Sequence, residues 1–548
     1  MNRTVYFNGS ILTMEKERET VGAVVTQDGR ITGTKAAASV SVISGFDASC
    51  GSGTVAAQTP GKEKETTRFI DLKGAAMLPA FLDSHSHFSG YASAQLQVPL
   101  EEAVSFEEIA DKIRAHIRSR NLPAGTWIIG KGYDHNQLSE HAHPTAALLD
   151  QAAPDNPVML QHQSCHMGVF NTMALRMLGV TAQTPCPSGG RIAIENGQPT
   201  GYMEENAFIA YQQKVPMPSM ADLAAAYLTV QDKYASYGIT TVQEGMLPDQ
   251  LLPLYQMLLE RDMLKLDVVG FADAKEASGL LPKLADYRRT YKNHFKLGGL
   301  KIFLDGSPQG RTAWMRSPYA DSDDYCGYNT LTDRQAEDFI RLSVKENLQI
   351  LAHCNGDAAA AQYLRACSKI EAEGLPLKAL RPVLVHGQLL GPDQIPELKR
   401  LGVIPSFFAA HVYYWGDAHI RNFGIERASH ISPAAAALRA DIPFTFHQDT
   451  PVIEPDMLET IWCSVNRLTK GGSKLTAEAI PVMDALRAVT INAAYQYFEE
   501  NEKGSIRPGK RADFVILDKN PLTVPPTELK NIRVLQTIKD GEIIYECR

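Results

Sequence analysis

Eight short apolar runs between residues 76 and 446 are separated by longer stretches with helical periodicity. Parallel strands need long crossover connections, which are usually helices, so this alternation is typical of an α/β fold with a parallel sheet. Eight such units predict a (β/α)8 TIM barrel, in which the chemistry lies at the carboxyl ends of the strands. The predicted strands are residues 76–82, 239–243, 267–271, 300–304, 348–351, 382–385, 403–407 and 443–446.

The two chain ends have a different pattern, with short β-prone runs separated by turn dipeptides. Asp28-Gly29 and Asp540-Gly541 each lie between two such runs, which is a hairpin signal. Isolated hairpins are marginally stable in water, so we expect the two ends to meet in one domain. We predict a small β-sandwich from residues 1–75 and 498–548, a barrel at 76–497, and a loop at 36–64.

The first and second predicted barrel strands are separated by far more residues than an ordinary barrel loop contains. This gap includes predicted helices at 105–120 and 221–237 and predicted strands at 127–129 and 158–161. We therefore expect a long insertion after barrel strand 1, over about residues 90–238, that forms a lid or subdomain over the barrel mouth.

Composition excludes several classes of partner. The 548 residues are 44% hydrophobic and 21% charged, which is ordinary for a globular protein. The net charge is −8 and the basic residues are not clustered, so we expect neither a nucleic acid nor a membrane as partner. A small-molecule substrate fits this composition best.

Eight cysteines are scattered without a CxxC pair, which indicates a reducing compartment rather than a disulfide framework. The first residues lack a signal-peptide pattern, and no apolar run reaches the roughly 18 residues that span a bilayer. We expect a cytoplasmic location.

The first barrel strand ends in an HxH motif. Asp83, His85 and His87 alternate in sequence, so in an extended strand all three side chains would point to one face. Two imidazoles leaving a strand in this way can bind one metal ion. An isolated HxH is equally compatible with two solvated loop histidines, so the other strand ends decide between these interpretations.

Four later strands also end in side chains that carry metal chemistry. The fourth contains Lys301, the fifth ends in His353, the sixth in His386, and the eighth is followed by Asp449. Because the carboxyl ends of parallel barrel strands share one mouth, these side chains are expected to converge with the HxH pair. The set favours a metal centre over unrelated surface residues.

This series, HxH followed by Lys, His, His and Asp, resembles that of the amidohydrolase superfamily. The resemblance covers essentially the whole chain and includes the phrases GITTVQEG, LKIFLDGS and GSIRPGKRADFVILD. The phrases GYDHNQL, SCHMGVFNTMAL, QPTGYMEENA and LKIFLDGSPQGRTA are similar to those of the YtcJ-like branch, amidohydrolase family 3, which resembles N-substituted formamide deformylase-type proteins. Departures are Ala80, where Gly is common, and Ser164-Cys165, where Asp-Gly is common.

The resemblance implies a metal-dependent barrel with a flanking β-sandwich and a specific set of ligands. His85 and His87 would hold one divalent ion, His353 and His386 a second, and Lys301 would bridge them. A lysine ammonium has no lone pair, so Lys301 would need to be N6-carboxylated. Alternatively Lys301 pairs with Asp305, and Asp449 with the HxH pair supports a single ion. Zinc is the expected metal in either arrangement.

Either arrangement predicts hydrolysis. A bound divalent ion lowers the pKa of water from about 15.7 to near 7 and polarises a carbonyl, while Asp449 would ligate the metal and serve as general base and acid. We expect cleavage of a carbon–nitrogen bond in an amide, N-acyl or N-formyl compound. The alternatives are an ester or cyclic amidine substrate, or a catalytically silent binding or regulatory protein.

Several further residues have weaker assignments. Asp83 is expected to orient a ligand histidine or to pack below the site. His141 and His143 are interpreted as surface residues because they lie beside Pro144 in a polar loop. A homodimer is the expectation that the resemblance gives for assembly. The candidates for substrate contact are His166, Asp134, His135, Arg311 and Asp305.

Overall fold

The structure is a computed structural model that describes residues 2–15, 19–35, 53–57, 65–163, 167–187, 190–216 and 218–547. The chain divides into two compact units. One contains Met1–Gly90 together with Leu228–Arg548, and the other is Tyr91–Tyr227.

The first strands belong to a mixed sheet in the larger unit. They are β1 (Asn2–Leu12), β2 (Thr20–Gln27), β3 (Arg30–Lys35), β4 (Gly53–Ala57), β5 (Glu65–Asp71) and β6 (Ala76–Pro79). The Asp28-Gly29 hairpin joins β2 to β3 as predicted, and β1 pairs with β2 on one edge and with β5 and β6 on the other. The strand β4 lies within the predicted loop 36–64, so that prediction is wrong there; residues 36–52 and 58–64 lie outside the described residues.

The predicted first barrel strand is divided between two sheets. Residues of β6 pair with β1 in the mixed sheet, whereas β7 (Phe81–Leu82) pairs with a strand of the second sheet. Ala80 separates them, and its N–H donates to Asp513 O at 3.0 Å. The prediction of one strand over 76–82 is therefore wrong, because consecutive apolar residues are buried in two different cores.

The smaller unit contains a six-stranded sheet. The elements from Phe88 onward are α1 (Phe88–Ala94), β8 (Val98–Pro99), α2 (Phe106–Arg120), β9 (Ile128–Tyr133), α3 (Ala146–Ala152), β10 (Val158–His162), β11 (Met167–Phe170), α4 (Thr172–Met177), β12 (Gly190–Glu195), β13 (Gln198–Glu205), α5 (Asn206–Gln212) and α6 (Met220–Ser236). The strand order is β12-β13-β11-β10-β9-β8. Strands β8, β9 and β10 are parallel, and β11 is antiparallel to β10. The predicted helix at 105–120 begins where Ser105 accepts a hydrogen bond from Glu108 N at 3.2 Å.

The second sheet of the larger unit has eight parallel strands, and its elements after β7 are β14 (Ile239–Leu247), α7 (Leu252–Glu260), β15 (Asp267–Asp273), α8 (Ala277–Lys283), β16 (Phe295–Phe303), α9 (Asp333–Lys345), β17 (Gln349–Cys354), α10 (Asp357–Ala372), β18 (Val383–His386), α11 (Gln394–Leu401), β19 (Ile404–Phe407), α12 (His411–Ser429), α13 (Ala434–Arg439), β20 (Thr445–Phe446), α14 (Met457–Asn466), α15 (Val482–Ala488) and α16 (Ile491–Gln496). The strand order is β20-β19-β18-β17-β16-β15-β14-β7. Six of the strands begin within two residues of the predicted positions, and β16 begins five residues before its predicted start. The sheet is curled and TIM-like, since Ser84 after β7 donates to Phe446 O in β20 at 2.9 Å.

The carboxyl-terminal strands return to the mixed sheet. They are β21 (Phe514–Leu517), β22 (Val534–Lys539) and β23 (Glu542–Glu546). Strand β21 pairs with β6, so the two chain ends form one nine-stranded sheet, as the hairpin argument requires. Its core includes Tyr6, Met77 and Phe514, which are nearly fully buried. Within the described residues no helix is long and apolar enough to cross a bilayer.

A buried ionic cluster joins the eight-stranded sheet to the carboxyl-terminal region. Asp267, the first residue of β15, is 1% exposed and contacts the ammonium groups of Lys503 and Lys539, the latter at 3.1 Å. His294 Nδ1 lies 2.7 Å from the same carboxylate. Burial raises the pKa of Asp267, but Lys503, His294 and Lys539 lower it more, so it lies well below its usual value.

We predict that Asp267→Asn lowers the free energy of unfolding by about 3 to 5 kcal/mol at pH 7, because it leaves buried ammonium groups without compensation. The pKa of the Asp267 carboxyl is depressed in the folded protein. This stabilisation is therefore fully present above the pKa of an aspartate in the unfolded chain, about 3.9, and is lost as the pH falls through the pKa of the folded state. Urea-unfolding midpoints measured from pH 7 to pH 3 test both statements.

The matched control is Asp232→Asn, since Asp232 forms an exposed pair with Lys265 at 3.0 Å. Exposed pairs contribute about 0 to 1 kcal/mol, so its midpoint should barely move. Equal midpoints for the two variants would contradict the stabilising role of the Asp267 cluster.

Candidate functional site

Charged and imidazole side chains meet at the carboxyl edge of the eight-stranded sheet. Parallel pairing aligns the strand ends, with Phe303 opposite His353 and Cys354 opposite His386. The backbone N–H of His87 donates to Thr450 O at 2.8 Å, which brings the segment after β7 beside the segment after β20. The residues that meet here are His85, His87, Lys301, His353, His386, His447 and Asp449.

Asp449 lies at the centre of this group. Its Oδ1 is 3.4 Å from the Nε2 atoms of both His85 and His87. Its Oδ2 is 3.9 Å from His386 Nε2, and Lys301 Nζ is 3.2 Å from His85 Nε2. The ligand atoms of His85, His87 and Asp449 all lie within 4.8 Å of one another.

These distances fit a divalent metal ion. Donors about 2.0 to 2.2 Å from a tetrahedral zinc ion lie about 3.3 to 3.6 Å from one another, and the two Oδ1 to Nε2 distances fall in that range. In the described part of the chain, Asp449 Oδ1 is buried and has no hydrogen-bond donor. A buried oxygen of this kind needs compensation, which a cation would supply.

Gln243 orients the first imidazole. His85 Nδ1 lies 2.6 Å from Gln243 Oε1, and Gln243 Nε2 donates to Ser84 O at 2.8 Å and to Tyr497 at 2.9 Å. The amide oxygen can only accept, so Nδ1 carries the proton and the Nε2 lone pair faces Asp449. A metal-ligating histidine typically donates its other N–H in this way.

Asp83 does not join the cluster through its side chain. Its carboxylate accepts from the backbone N–H of His85 at 3.3 Å, and burial raises its pKa to about 7. The expected common face of Asp83, His85 and His87 is wrong, because β7 ends at Leu82 and the motif lies in the turn that follows. Asp83 therefore supports the backbone of His85, while Gln243 orients its ring.

Asp305 contacts a histidine instead of Lys301. Its Oδ1 lies 3.2 Å from His353 Nδ1 and accepts from Asn355 N at 2.9 Å. Among the described residues no ion pair joins Asp305 to Lys301, so the predicted alternative pairing is not formed. Strand β16 ends at Phe303, and the chain turns before Asp305, so strand parity no longer applies. Asp305 positions His353, whose ring centroid is 4.5 Å from that of His386.

His447 is a site residue to which sequence reasoning assigned no role. Its Nε2 lies 3.1 Å from His386 Nδ1, and its Nδ1 lies 3.0 Å from Ser406 Oγ. The available signal was its position, directly after β20 and two residues before Asp449. Gln243 belongs to the phrase GITTVQEG, but its partner, His85, could be identified only from the three-dimensional structure.

Burial sets the protonation of the cluster. It lowers the pKa values of His85 and His386 well below the usual value, with Lys301 and neighbouring imidazoles acting in the same direction. These imidazoles are therefore neutral, which is the form that binds metal. Burial also lowers the pKa of Lys301 to about 7. Burial raises the pKa of Asp449, but its interactions with His87, His447 and Lys301 lower it more, so this carboxylate is ionised at neutral pH.

The other predicted contact residues have partners of their own or lie outside the described residues. Arg311 forms a bidentate ion pair with Asp321, and no described contact links it to Asp449. Asp134 and His135 belong to the smaller unit, where they lie beside His162. His166 lies outside the described residues.

Comparison with known proteins identifies relatives over almost the whole chain. The family model described as "Amidohydrolase family" matches residues 68–545. The putative amidohydrolase YtcJ of Bacillus subtilis is 27% identical over 99% of this chain and 99% of its own length. The N-substituted formamide deformylase of Arthrobacter pascens is also 27% identical, over 87% of this chain and 90% of its own.

The fold has relatives among solved structures. An uncharacterized metal-dependent hydrolase from Pyrococcus furiosus matches with a TM-score of 0.75 at 23% sequence identity, covering 95% of this chain and 100% of that chain. A second, from Pyrococcus horikoshii, gives the same score and identity over 96% of this chain. Because the family model matches most of the sequence, the chain belongs to the amidohydrolase family.

Proposed function

We propose that this chain hydrolyses a carbon–nitrogen bond of a small amide, N-acyl or N-formyl compound. The observation that carries the proposal is the partly buried Asp449 carboxylate, whose Oδ1 lies 3.4 Å from the Nε2 atoms of both His85 and His87, with the buried amine of Lys301 beside them. The relative named as an N-substituted formamide deformylase supports the choice of bond. The curled sheet is taken as a closed (β/α)8 barrel flanked by a β-sandwich, with its chemistry at the carboxyl ends of the strands.

The donor set suits one or two divalent ions, and zinc is preferred because imidazole and carboxylate are its usual ligands here. His85, His87 and Asp449 would hold one ion, and His353 and His386 a second. When bound, such an ion makes water more acidic and polarises a substrate carbonyl. Gln243 and Asp305 hold the rings of His85 and His353 in the orientation that this requires.

Lys301 would complete the site as a carbamate. Its side chain is buried and contacts His85 Nε2 at 3.2 Å, and its pKa near 7 leaves a large fraction as free amine at neutral pH. The amine nitrogen bonds to the carbon of CO₂ and releases one proton. The product carries a negative charge and two oxygens, so it can bridge ions where an ammonium cannot.

Asp449 would move the proton that the reaction requires. The oxygen of a water molecule bonds to the substrate carbonyl carbon as Asp449 accepts a proton from that water. Asp449 then delivers the proton to the departing nitrogen, so the carbon–nitrogen bond breaks to give a carboxylic acid and an amine. An amine is a poor leaving group unless it is protonated, and this explains why the acid and base roles fall on one residue.

The proposal is tested with the zinc- or manganese-loaded protein on a matched panel of N-formyl amines, N-acyl amines, esters and cyclic amidines. We expect the acyl-amine group to be hydrolysed, and a chelator to remove that activity. Turnover restricted to esters or cyclic amidines would show that the protein hydrolyses one of those bonds and not an amide. Absence of turnover on every class would contradict a hydrolase function.

We predict that Asp449→Ala lowers kcat at least about 10²-fold, since general acid–base catalysis contributes about 10² to 10⁴. The histidine ligands remain, so most of the metal should stay bound, as measured by elemental analysis. Asp286→Ala is the control, because Asp286 is exposed and its ion pair among the described residues is with Lys292 at 2.9 Å. Wild-type turnover in Asp449→Ala would refute this mechanism.

A third prediction concerns Lys301. Metal-loaded protein equilibrated with ¹³C-bicarbonate is expected to give a carbamate carbon resonance that is absent in Lys301→Met. Lys296→Met is the matched control, because Lys296 lies on the same strand, is also buried, and is paired with Glu499. Its resonance should be retained. A spectrum of the wild type without a carbamate signal would rule out the modification.

A further inference from the structure

The smaller unit contains a second group of potential metal ligands, on its own sheet. Strands β9 and β10 are parallel, and Tyr133 at the end of β9 pairs with His162 at the end of β10. Asp134 and His135 follow β9 directly. The carboxyl ends of two neighbouring parallel strands therefore place two imidazoles and a carboxylate side by side.

The three donor atoms form a compact triangle. His135 Nδ1 is 3.1 Å from His162 Nε2, and Asp134 Oδ1 is 3.6 Å from His162 Nε2 and 3.9 Å from His135 Nδ1. Donors of one tetrahedral zinc ion lie about 3.3 to 3.6 Å from one another, so a shift of a few tenths of an ångström would seat an ion. The two distances from Asp134 Oδ1 to the ring nitrogens are longer than hydrogen bonds.

Neighbouring groups hold this carboxylate in place. Asp134 Oδ1 accepts from the backbone N–H of Asn136 at 2.9 Å and from its side-chain amide at 3.0 Å. Asp134 Oδ2 lies 3.3 Å from Gln137 Nε2. These contacts fix the carboxylate but leave it facing the two imidazoles, which is how partners of a ligating carboxylate usually act.

His143 positions the His135 ring. The two rings are stacked with centroids 4.2 Å apart, and His143 Nδ1 lies 3.1 Å from the Tyr133 hydroxyl. The interpretation of His143 as a surface residue is wrong, because it is partly buried against Tyr202, whose ring centroid is 4.4 Å away. His141 is exposed as expected.

A hydrogen bond between the two imidazoles would account for the 3.1 Å contact alone. That hydrogen bond does not involve the carboxylate, whose Oδ1 is held by Asn136 at 3.6 and 3.9 Å from the two ring nitrogens. A cation at the centre of this triangle would contact all three donors at once. Two imidazoles and one carboxylate also match the three-ligand sets of zinc sites that keep one position for water or another ligand.

We propose that Asp134, His135 and His162 form a second divalent-metal site, of the zinc class, within the smaller unit and independent of the site around Asp449. Three protein donors leave one coordination position for water or for an anionic or nitrogen-containing ligand. The proposal does not depend on the proposed function, since its ligands and its sheet are separate.

The test measures zinc per full-length chain by elemental analysis after equilibration with zinc and removal of excess. Asp134→Asn and His135→Gln are each expected to lose about one equivalent relative to wild type, while His141→Ala keeps the wild-type content. These are mild changes at partly exposed positions, and circular dichroism checks that each variant is folded. Unchanged zinc content in both ligand variants would overturn the site.

A second arm separates this site from the proposed catalytic one. In the double variant His87→Ala/His353→Ala, cobalt(II) is expected to retain a visible absorption spectrum from the Asp134 site. Adding His135→Gln should remove that spectrum. If the triple variant keeps the same spectrum as the double variant, the cobalt is bound elsewhere and the Asp134 site is refuted, whatever the result of the substrate panel.

Discussion

The candidate site depends on the contact between the Asp449 carboxylate, which follows the last strand of the eight-stranded sheet, and the imidazoles of His85 and His87, which follow the first strand. Isolating an ionised carboxylate from water is costly unless cations or donors compensate it. Here Asp449 Oδ1 is buried without a hydrogen-bond donor among the described residues. The side chains that would hold a compensating cation beside it are His85 and His87, which follow the first strand, and His386 on a strand between. The site can therefore exist only when the sheet curls and its first and last strands meet.

Backbone conformation contributes to this convergence. His386 and Asp449 both have positive φ angles, 75° and 54°, a region that residues other than glycine adopt infrequently. His386 is the last residue of β18 and Asp449 lies in the turn that follows β20, and at both positions the side chain joins the cluster. Such conformations persist where the surrounding structure determines them, and they concentrate at functional sites.

Hydrogen-bonding partners then fix the rings of His85, His353 and His447. Gln243 holds His85, Asp305 holds His353, and Ser406 contacts the His447 ring that in turn contacts His386. The smaller unit repeats the principle at a second pair of parallel strand ends, with Asn136 holding Asp134. In both units, parallel pairing brings together residues that are distant in sequence, and local hydrogen bonds orient them.

The sequence by itself determined the order of the elements and the candidate donors of the eight-stranded sheet. Apolar periodicity located seven of its strands, turn dipeptides located the hairpins at Asp28 and Asp540, and the resemblance identified the family. These signals are local, because hydrophobic periodicity and turn chemistry depend on neighbouring residues. The tertiary structure decided the rest: the division of residues 76–82 between two sheets, the pairing of Asp305 with His353, the role of Gln243, and the Asp134 cluster. Each of these depends on which distant chain segment lies opposite a given side chain, and that partner is fixed only when the strands pair and the cores pack.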